Sequence, residues 1–194
     1  MIKIEERCIK MRLPNGKVVD ILPEVIAEIS KWTQKESCDC ESGGFILGYK
    51  HESTGNISLE FVTTPQDEDI SSRERFILRD KKHKLIIEKY KEEKSYYMGL
   101  WHTHPQVIPN PSVIDIKDWK DTLLKDKTAC KYIFFFIAGL EVIRVWVGDI
   151  KSKDIIEIYE CERIGGIYKK VLIYVEKVSR NDSKYRNIIF LCSD

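Results

Sequence analysis

The chain has 194 residues, of which 43% are hydrophobic and 32% are charged, and its formal net charge is +1 at pH 7. This length fits one domain, or one domain with an appendage, and the near-neutral charge gives no electrostatic reason to expect nucleic acid or an anionic membrane as partner. No apolar run approaches the roughly 20 residues that cross a bilayer, and we find no signal-peptide pattern. We therefore expect a cytoplasmic protein whose six cysteines are free thiols.

The first part of the chain predicts a hairpin, a helix and two strands. Residues 7–22 alternate around a Pro-Asn-Gly turn, which is typical of a β-hairpin. Residues 23–35 begin with proline and repeat apolar residues at helical spacing. Glu41 then precedes the pair Gly43–Gly44 and an apolar strand, and a partner strand is expected at 57–63. The glycine pair allows the backbone to lie close to a neighbouring strand or to a ligand.

The middle of the chain predicts a loop, a helix and a short strand. Residues 64–79 are polar and charged, which is typical of a loop that is either only solvated or in contact with a substrate. Apolar residues at helical spacing predict a helix over 79–94, whose Lys and Glu residues face solvent. The apolar run at 96–101 predicts a strand.

The next part predicts a helix followed by the centre of a sheet. A helix is expected over 112–127. The entirely apolar run at 132–138 predicts a buried central strand, and further strands are expected at 141–147 and 155–159. Hairpins mixed with helices indicate an α+β fold in which a mixed β-sheet is flanked by helices.

The pattern weakens near the end of the chain. We place one domain over residues 1–164 and an appendage of unknown role over 165–194. Within the appendage, apolar runs at 171–175 and 187–191 predict two strands that extend the sheet, pack as a separate unit, or bind a partner.

A group of potential metal ligands lies between the strand at 96–101 and the following helix. His102 and His104 are two residues apart, so on an extended chain their side chains point to the same face. After a proline-rich loop, Ser112 is a good helix N-cap and Asp115 falls in the first helical turn. Three protein ligands leave the fourth tetrahedral position open, which is typical of a catalytic rather than a structural zinc site.

Two further residues complete a hydrolytic site. Zinc lowers the pKa of water to about 7 and thus supplies a nucleophile at neutral pH. Glu41 is the candidate base because it borders the glycine pair and an apolar strand, and the alternative is an ordinary surface carboxylate. The Ser112 hydroxyl is the candidate donor to the oxyanion, and its alternative role is that of an N-cap alone.

Other metal motifs do not fit the sequence. The zinc deaminase signature needs His-x-Glu followed by Pro-Cys-x-x-Cys, and the zincin signature needs His-Glu-x-x-His; neither occurs here. Cys38-Asp39-Cys40 has the form of half a metal site, but no second cysteine pair completes it.

The motif resembles that of a known family. His102-Thr103-His104-Pro105, with seven residues between His104 and Ser112 and then Ser112-x-x-Asp115, is similar to the JAMM motif of the JAB/MPN metalloproteases. The run from Glu41 to Gly48 resembles the upstream glutamate and Gly-Gly strand of that family, and the likeness covers about residues 20–150.

The resemblance implies a fold, a cofactor and an activity. The implied fold is a cytidine-deaminase-like JAB/MPN core. The implied cofactor is one catalytic Zn²⁺ held by His102, His104 and Asp115, with Glu41 and Ser112 as catalytic residues. The implied activity is hydrolysis of isopeptide or peptide bonds at the C-terminal end of ubiquitin or of ubiquitin-like proteins.

A narrower resemblance is to the compact bacterial JAB proteins of antiphage islands. In type II CBASS systems such a protein opposes an E1/E2-like ligase. The ligase joins the C-terminus of a cGAS-like nucleotidyltransferase to targets, and the JAB protein cleaves that bond. By the same analogy, the loop from Thr64 to Phe76 and the approach to His102 would cradle an extended tail, and we name Arg75, Phe76 and Thr103 as substrate-binding residues.

Two other functions compete with the isopeptidase. One is a JAB peptidase that trims a sulfur-carrier or other ubiquitin-like precursor. The other, from a different class, is a scaffold in which zinc only stabilises the fold. The presence of Glu41 argues against the scaffold, because a structural site needs no base.

Overall fold

The computed structural model describes residues 8–126, 130–164 and 167–175. Within these ranges the chain forms helices α1 (Pro23–Lys31), α2 (Lys82–Glu92) and α3 (Val113–Lys125). The strands are β1 (Ile9–Arg12), β2 (Val18–Ile21), β3 (Gly43–Lys50), β4 (Ile57–Val62), β5 (Ile70–Ser72), β6 (Arg75–Ile77), β7 (Tyr96–Thr103), β8 (Tyr132–Ala138), β9 (Val142–Asp149), β10 (Ile155–Ile158), β11 (Glu160–Ile164), β12 (Ile167–Val171) and β13 (Ile173–Tyr174). None of these helices is long and apolar enough to span a bilayer.

The strands form one large mixed sheet and a separate hairpin. The order in the large sheet is β10-β9-β8-β7-β3-β4-β2-β1-β11-β12, with β13 also paired to β9, and β5 pairs with β6. The pairs β2–β4 and β7–β8 are parallel, and the others are antiparallel. Only one residue separates β10 from β11, although they lie near opposite ends of the strand order, so the sheet curls until its ends are close. The predicted α+β fold with a mixed sheet is confirmed.

The buried core lies on both faces of β8, all seven residues of which are buried. The larger apolar cluster lies on one face, and α1 contributes Val25 and Ile29 to it. On the other face α3 packs through Trp119, whose ring stacks on Phe135 with centroids 4.7 Å apart. Aromatic stacking of this kind adds to the free energy of area burial. The packing fixes the position of α3, and hence of the polar residues at its first turn.

The structure corrects one predicted segment and changes the ends of two others. The loop predicted at 64–79 contains the β5–β6 hairpin, which the sequence did not indicate because its residues are mostly polar and do not alternate. Helix α1 ends at Lys31 rather than near residue 35. Strand β7 runs to Thr103, two residues farther than predicted.

The hairpin and helix at the start of the chain and the buried central strand are confirmed. Beyond residue 164, β12 pairs with β11 and β13 pairs with β9. The strand predicted at 187–191 lies outside the described residues, and the domain boundary at 164/165 stays a prediction.

Candidate metal centre

The two histidines are positioned by the end of β7, in the middle of the sheet. His102 pairs across the sheet with Gly43 of β3 on one side and with Ile137 of β8 on the other. The backbone N–H of His104 donates to the carbonyl of Ala138 at 2.9 Å, so the chain stays against β8 for one residue beyond the strand. Both imidazoles are thereby held on an ordered backbone.

The imidazoles meet the carboxylate of Asp115, which stands in the first turn of α3. The Nε2 atoms of His102 and His104 are 3.0 Å apart. His102 Nε2 lies 3.2 Å from Asp115 Oδ1, and His104 Nε2 lies 3.4 Å from Asp115 Oδ2. Ligands of a tetrahedral zinc ion stand about 3.3 Å from one another, given zinc–nitrogen bonds of roughly 2.0–2.1 Å. The three donors therefore fit one zinc ion.

No other cluster in the described residues offers three or more such ligands. Four cysteines with described side chains are free, as predicted, and both cysteines of the Cys38-Asp39-Cys40 motif are exposed. The side chains of Cys161 and Cys192 lie outside the described part of the chain.

Ser112 and Asp115 form a reciprocal cap at the start of α3. The Asp115 N–H donates to Ser112 Oγ at 3.1 Å, and the Ser112 N–H donates to Asp115 Oδ2 at 2.6 Å. This is a capping box, which satisfies two helix N–H groups. The hydroxyl uses a lone pair as acceptor here, and its own proton stays available to another acceptor. Ser112 is therefore an N-cap that can also donate.

The electrostatics of the centre favour a charged Asp115. Burial alone would raise the pKa of Asp115, but hydrogen bonds from His102 and His104 outweigh it and hold that pKa well below its usual range. Burial alone would lower the pKa of His104, whereas the carboxylates of Asp115 and Glu41 and a hydrogen bond to the backbone of Asn110 raise it. An anionic carboxylate beside two imidazoles is the donor chemistry of a zinc site.

The structure places Glu41 next to the cluster of His102, His104 and Asp115. Its side chain is buried, and Glu41 Oε1 lies 3.7 Å from His104 Nε2. Burial raises the pKa of Glu41 to about 7, opposed by His104 and assisted by Asp115 and Glu74. A fourth polar group thus stands beside the three ligands.

The β5–β6 hairpin holds the backbone of Glu41. The Glu41 N–H donates to the Ser72 carbonyl at 2.7 Å, and the Ser71 hydroxyl donates to the Glu41 carbonyl. These contacts were not predictable from the sequence, because they join the backbone of Glu41 to a segment about 30 residues away. The hairpin is therefore part of the site.

The three residues predicted to bind substrate lie in different surroundings. Arg75 is exposed on β6. The ring of Phe76 covers Gly43, since a Cβ added to that glycine would lie 2.6 Å from Phe76 Cδ1. Thr103 is fully buried: its Oγ1 accepts from the Ser42 N–H at 2.9 Å, so its side chain supports the backbone beside Glu41 and does not face solvent.

A buried pair of hydrogen-bonded side chains, His83 and Asp69, fixes the segment that carries the hairpin. His83 Nε2 lies 2.7 Å from Asp69 Oδ2, and His83 Nδ1 lies 3.0 Å from Thr63 Oγ1. The side chains of His83 and Asp69 are 3% and 2% exposed. Asp69 also accepts hydrogen bonds from the backbone N–H groups of Arg79 and Asp80. The pair thus joins the 66–80 segment to His83 of α2 and, through His83, to Thr63 just after β4.

We expect His83→Ala to lower the free energy of unfolding by about 2–4 kcal/mol, because it leaves the buried Asp69 carboxylate without its partner. Urea unfolding measures the change. His51→Ala is the matched control: His51 is partly exposed, its ring is hydrogen-bonded to the Ser58 hydroxyl and packs on Tyr49, and its loss is expected to cost about 1 kcal/mol or less. Equal losses for the two variants would contradict a special role for the His83–Asp69 pair.

Four apolar residues of the proline-rich loop and of the first turn of α3 are exposed. Val107, Ile108, Val113 and Ile114 are 50%, 43%, 88% and 50% exposed. They were not singled out from the sequence, although apolar residues within a proline-rich loop and at the start of a helix are an available signal.

Comparison with known proteins agrees with these observations. Residues 23–155 match the family described as prokaryotic homologs of the JAB domain. A protein of Escherichia coli (strain TW11681) named CD-NTase/cGAS isopeptidase is 26% identical over 140 residues, which are 71% of this chain and 85% of that protein. A protein of the same name from Vibrio cholerae is 24% identical over 146 residues, 74% of this chain and 88% of its own length.

Two further similarities are more limited. A third protein with that name, from Pseudomonas aeruginosa, is 33% identical over 89 residues, which are 44% of this chain and 55% of that protein. A solution structure of a protein from Desulfitobacterium hafniense is 19% identical with a TM-score of 0.44, and it covers 60% of this chain and 74% of its own. The matched segment 23–155 contains Glu41, His102, His104, Ser112 and Asp115, and the chain belongs to the family of prokaryotic JAB-domain proteins.

Proposed function

We propose that this chain is a zinc-dependent isopeptidase that cleaves the bond after the C-terminus of a conjugated protein. The observation that carries the proposal is the buried Glu41 carboxylate, 3.7 Å from His104 Nε2 and beside the three-ligand cluster. A metal that only stabilised a scaffold would need no such carboxylate. The relatives named CD-NTase/cGAS isopeptidase support the same class of reaction.

His102, His104 and Asp115 would hold the metal. Two imidazole nitrogens and one carboxylate are a donor set that zinc prefers, with one position left for substrate or water. When bound, zinc would polarise the scissile carbonyl and supply a water of lowered pKa. The protein contributes ligands on two rigid elements, the end of β7 and the first turn of α3.

Glu41 would transfer a proton from the attacking water to the leaving amine. A general base must stand within hydrogen-bond reach of the water it activates, and the Glu41 carboxylate lies next to the ligand atoms. It would accept the proton of the attacking water and then donate it to the leaving amine. The hairpin contacts to its backbone keep the carboxylate in this place.

Ser112 would donate its hydroxyl proton to the oxyanion. We expect Ser112→Ala to lower kcat by about 10²–10³-fold, the usual loss for one oxyanion donor. The same change removes the cap and lowers the free energy of unfolding by about 0.5–2 kcal/mol. Ser112→Thr keeps a hydroxyl and is the control. A Ser112→Ala enzyme with normal kcat, measured on a cleaved fusion, would leave Ser112 with the capping role alone.

The substrate would be an extended C-terminal tail that lies between the β5–β6 hairpin and the histidines. Arg75 is exposed on the hairpin and Phe76 covers Gly43, so both stand where such a tail would approach His102. The names of the relatives favour the tail of a cGAS-like nucleotidyltransferase conjugate. On this proposal the functional counterpart is an E1/E2-like ligase in a cytoplasmic antiviral CBASS system.

A cleavage assay on zinc-loaded protein tests the proposal. The substrates are a cGAS-like nucleotidyltransferase fused through its C-terminus to a reporter, and ubiquitin-like fusions. The controls are Glu41→Ala and a chelator. Cleavage directly after the nucleotidyltransferase, lost in both controls, supports the proposal. Cleavage of only the ubiquitin-like fusions would favour precursor trimming, and zinc binding with no cleavage of any substrate would favour the scaffold.

A further inference from the structure

Arg144 of β9 holds the loop that joins two of the metal ligands. Its Nη1 donates to the Pro109 carbonyl at 2.9 Å and to the side-chain oxygen of Asn110. Its Nε and Nη2 donate to the two carboxylate oxygens of Glu157 at 2.6 and 2.7 Å. The guanidinium therefore bridges β10 and the loop. The mechanism proposed above does not use this residue.

The sheet places Arg144 on the same face as a metal ligand. Arg144 pairs with Ile137 of β8, and Ile137 pairs with His102 of β7. Residues paired across neighbouring strands project to one face of a sheet, so Arg144 and His102 stand two strands apart on the α3 face. The Arg144 side chain is 19% exposed, and its guanidinium lies 4.9 Å from the centre of the Trp146 ring. Packing and the bidentate pair with Glu157 restrict its orientation.

The loop of residues 105–111 connects His104 to the α3 cap. The backbone of Asn110 lies close enough to the His104 imidazole to raise the pKa of that ring. The Asn110 N–H donates in turn to Gln106 Oε1 at 2.7 Å, and the Leu140 N–H donates to the Gln106 carbonyl at 2.8 Å. A shift of Asn110 would therefore move the start of α3, which carries Asp115, and would change the surroundings of the His104 ring. Arg144 contacts the loop at this residue.

We infer that Arg144 is a positioning residue that sets the metal affinity of the centre by fixing Pro109 and Asn110, and the inference depends on the proposed zinc site. Groups that position metal ligands from behind through hydrogen bonds typically change metal affinity or activity by about 10–100-fold when removed. A guanidinium is suited to this task because its planar fork binds a carboxylate and loop acceptors at once.

A purely structural role for Arg144 predicts a different result. In that case the arginine only joins β9 to β10 through Glu157, and its loss lowers the free energy of unfolding without changing the affinity of the folded protein for zinc. Metal affinity and stability of the metal-free protein must therefore be measured separately on each variant.

The test is a zinc titration against a chromophoric chelator, with thermal unfolding of the metal-free protein recorded in parallel. Arg144→Gln is expected to weaken zinc binding by about 10–100-fold, and any loss of cleavage should be restored by excess zinc. Arg144→Lys keeps the charge but cannot bridge Glu157 and both loop acceptors, so it should fall between wild type and Arg144→Gln. Arg12→Gln is the matched control, because Arg12 also donates to a turn carbonyl, that of Gly16, but in the β1–β2 hairpin.

A second variant covers the case in which Arg144→Gln does not fold. Asn110→Ala removes only an exposed loop acceptor of Arg144, and it should weaken zinc binding several-fold while leaving unfolding of the metal-free protein unchanged. Wild-type zinc affinity in a folded Arg144 variant or in Asn110→Ala would overturn the inference. If wild type binds no zinc, the inference and the proposed function both fail. If wild type binds zinc but cleaves nothing, only the proposed function fails.

Discussion

Glu41→Gln is expected to lower kcat by about 10²–10⁴-fold, the usual contribution of a general base, while zinc binding and the fold stay intact. Glutamine has nearly the shape of glutamate but cannot accept the proton of the attacking water. Glu41 is not one of the three clustered ligands, and its backbone contacts with Ser71 and Ser72 do not involve its carboxylate. A substitution of Glu41 should therefore lower kcat without changing the affinity for zinc. The smaller Glu41→Ala should give the same result.

The measurement is single-turnover cleavage of the fusion substrate, with zinc content determined on the same sample. Glu52→Gln is the control, because Glu52 is exposed in the turn between β3 and β4 and should leave kcat unchanged. Normal cleavage by Glu41→Gln would show that another group accepts the proton. Loss of zinc from that variant would instead place Glu41 among the ligands.

The cluster of candidate ligands could be predicted from the sequence because its signals are local. Two histidines at strand spacing, a proline-rich loop and a capping residue three positions before Asp115 are separated by few residues. Each element follows from neighbouring side chains, and the structure brings the three ligand side chains together as that spacing predicts. The buried strand at 132–138 was predictable for the same reason.

The residues around this cluster could not be predicted from local sequence, because their positions depend on strand register and on contacts between residues far apart in the chain. Glu41 was named as the candidate base from the glycine pair and the apolar strand that follow it, but the pairing of Gly43 with His102, which brings it to the centre, could not be predicted from the two strands separately. Thr103 was expected to face the substrate but is buried, since β7 continues to that residue and its side chain points inward. His83 had only the spacing of a helical face, and its partner Asp69 lies in a segment that was predicted to be a loop.

Asp115→Ala is expected to abolish stoichiometric zinc binding and to lower cleavage by more than about 10³-fold, because the loss of the metal removes several kcal/mol of transition-state stabilisation. The change also breaks the capping box, since the Ser112 N–H loses its acceptor. That second effect should lower the free energy of unfolding by about 1–2 kcal/mol even without metal. Asp115→Ala therefore changes both the affinity for zinc and the stability of α3, and it cannot tell the two apart.

Asp115→Asn separates the two effects. Its amide oxygen can still accept from the Ser112 N–H, so unfolding of the metal-free protein should change by less than about 1 kcal/mol, whereas a neutral amide is a much poorer zinc ligand than a carboxylate. Asp118→Asn, an exposed position on the same helix, controls for the loss of one negative charge. Chelator competition and urea unfolding on the three variants give both quantities. Full zinc affinity in Asp115→Asn and Asp115→Ala would remove Asp115 from the ligand set and leave it only as the partner of Ser112.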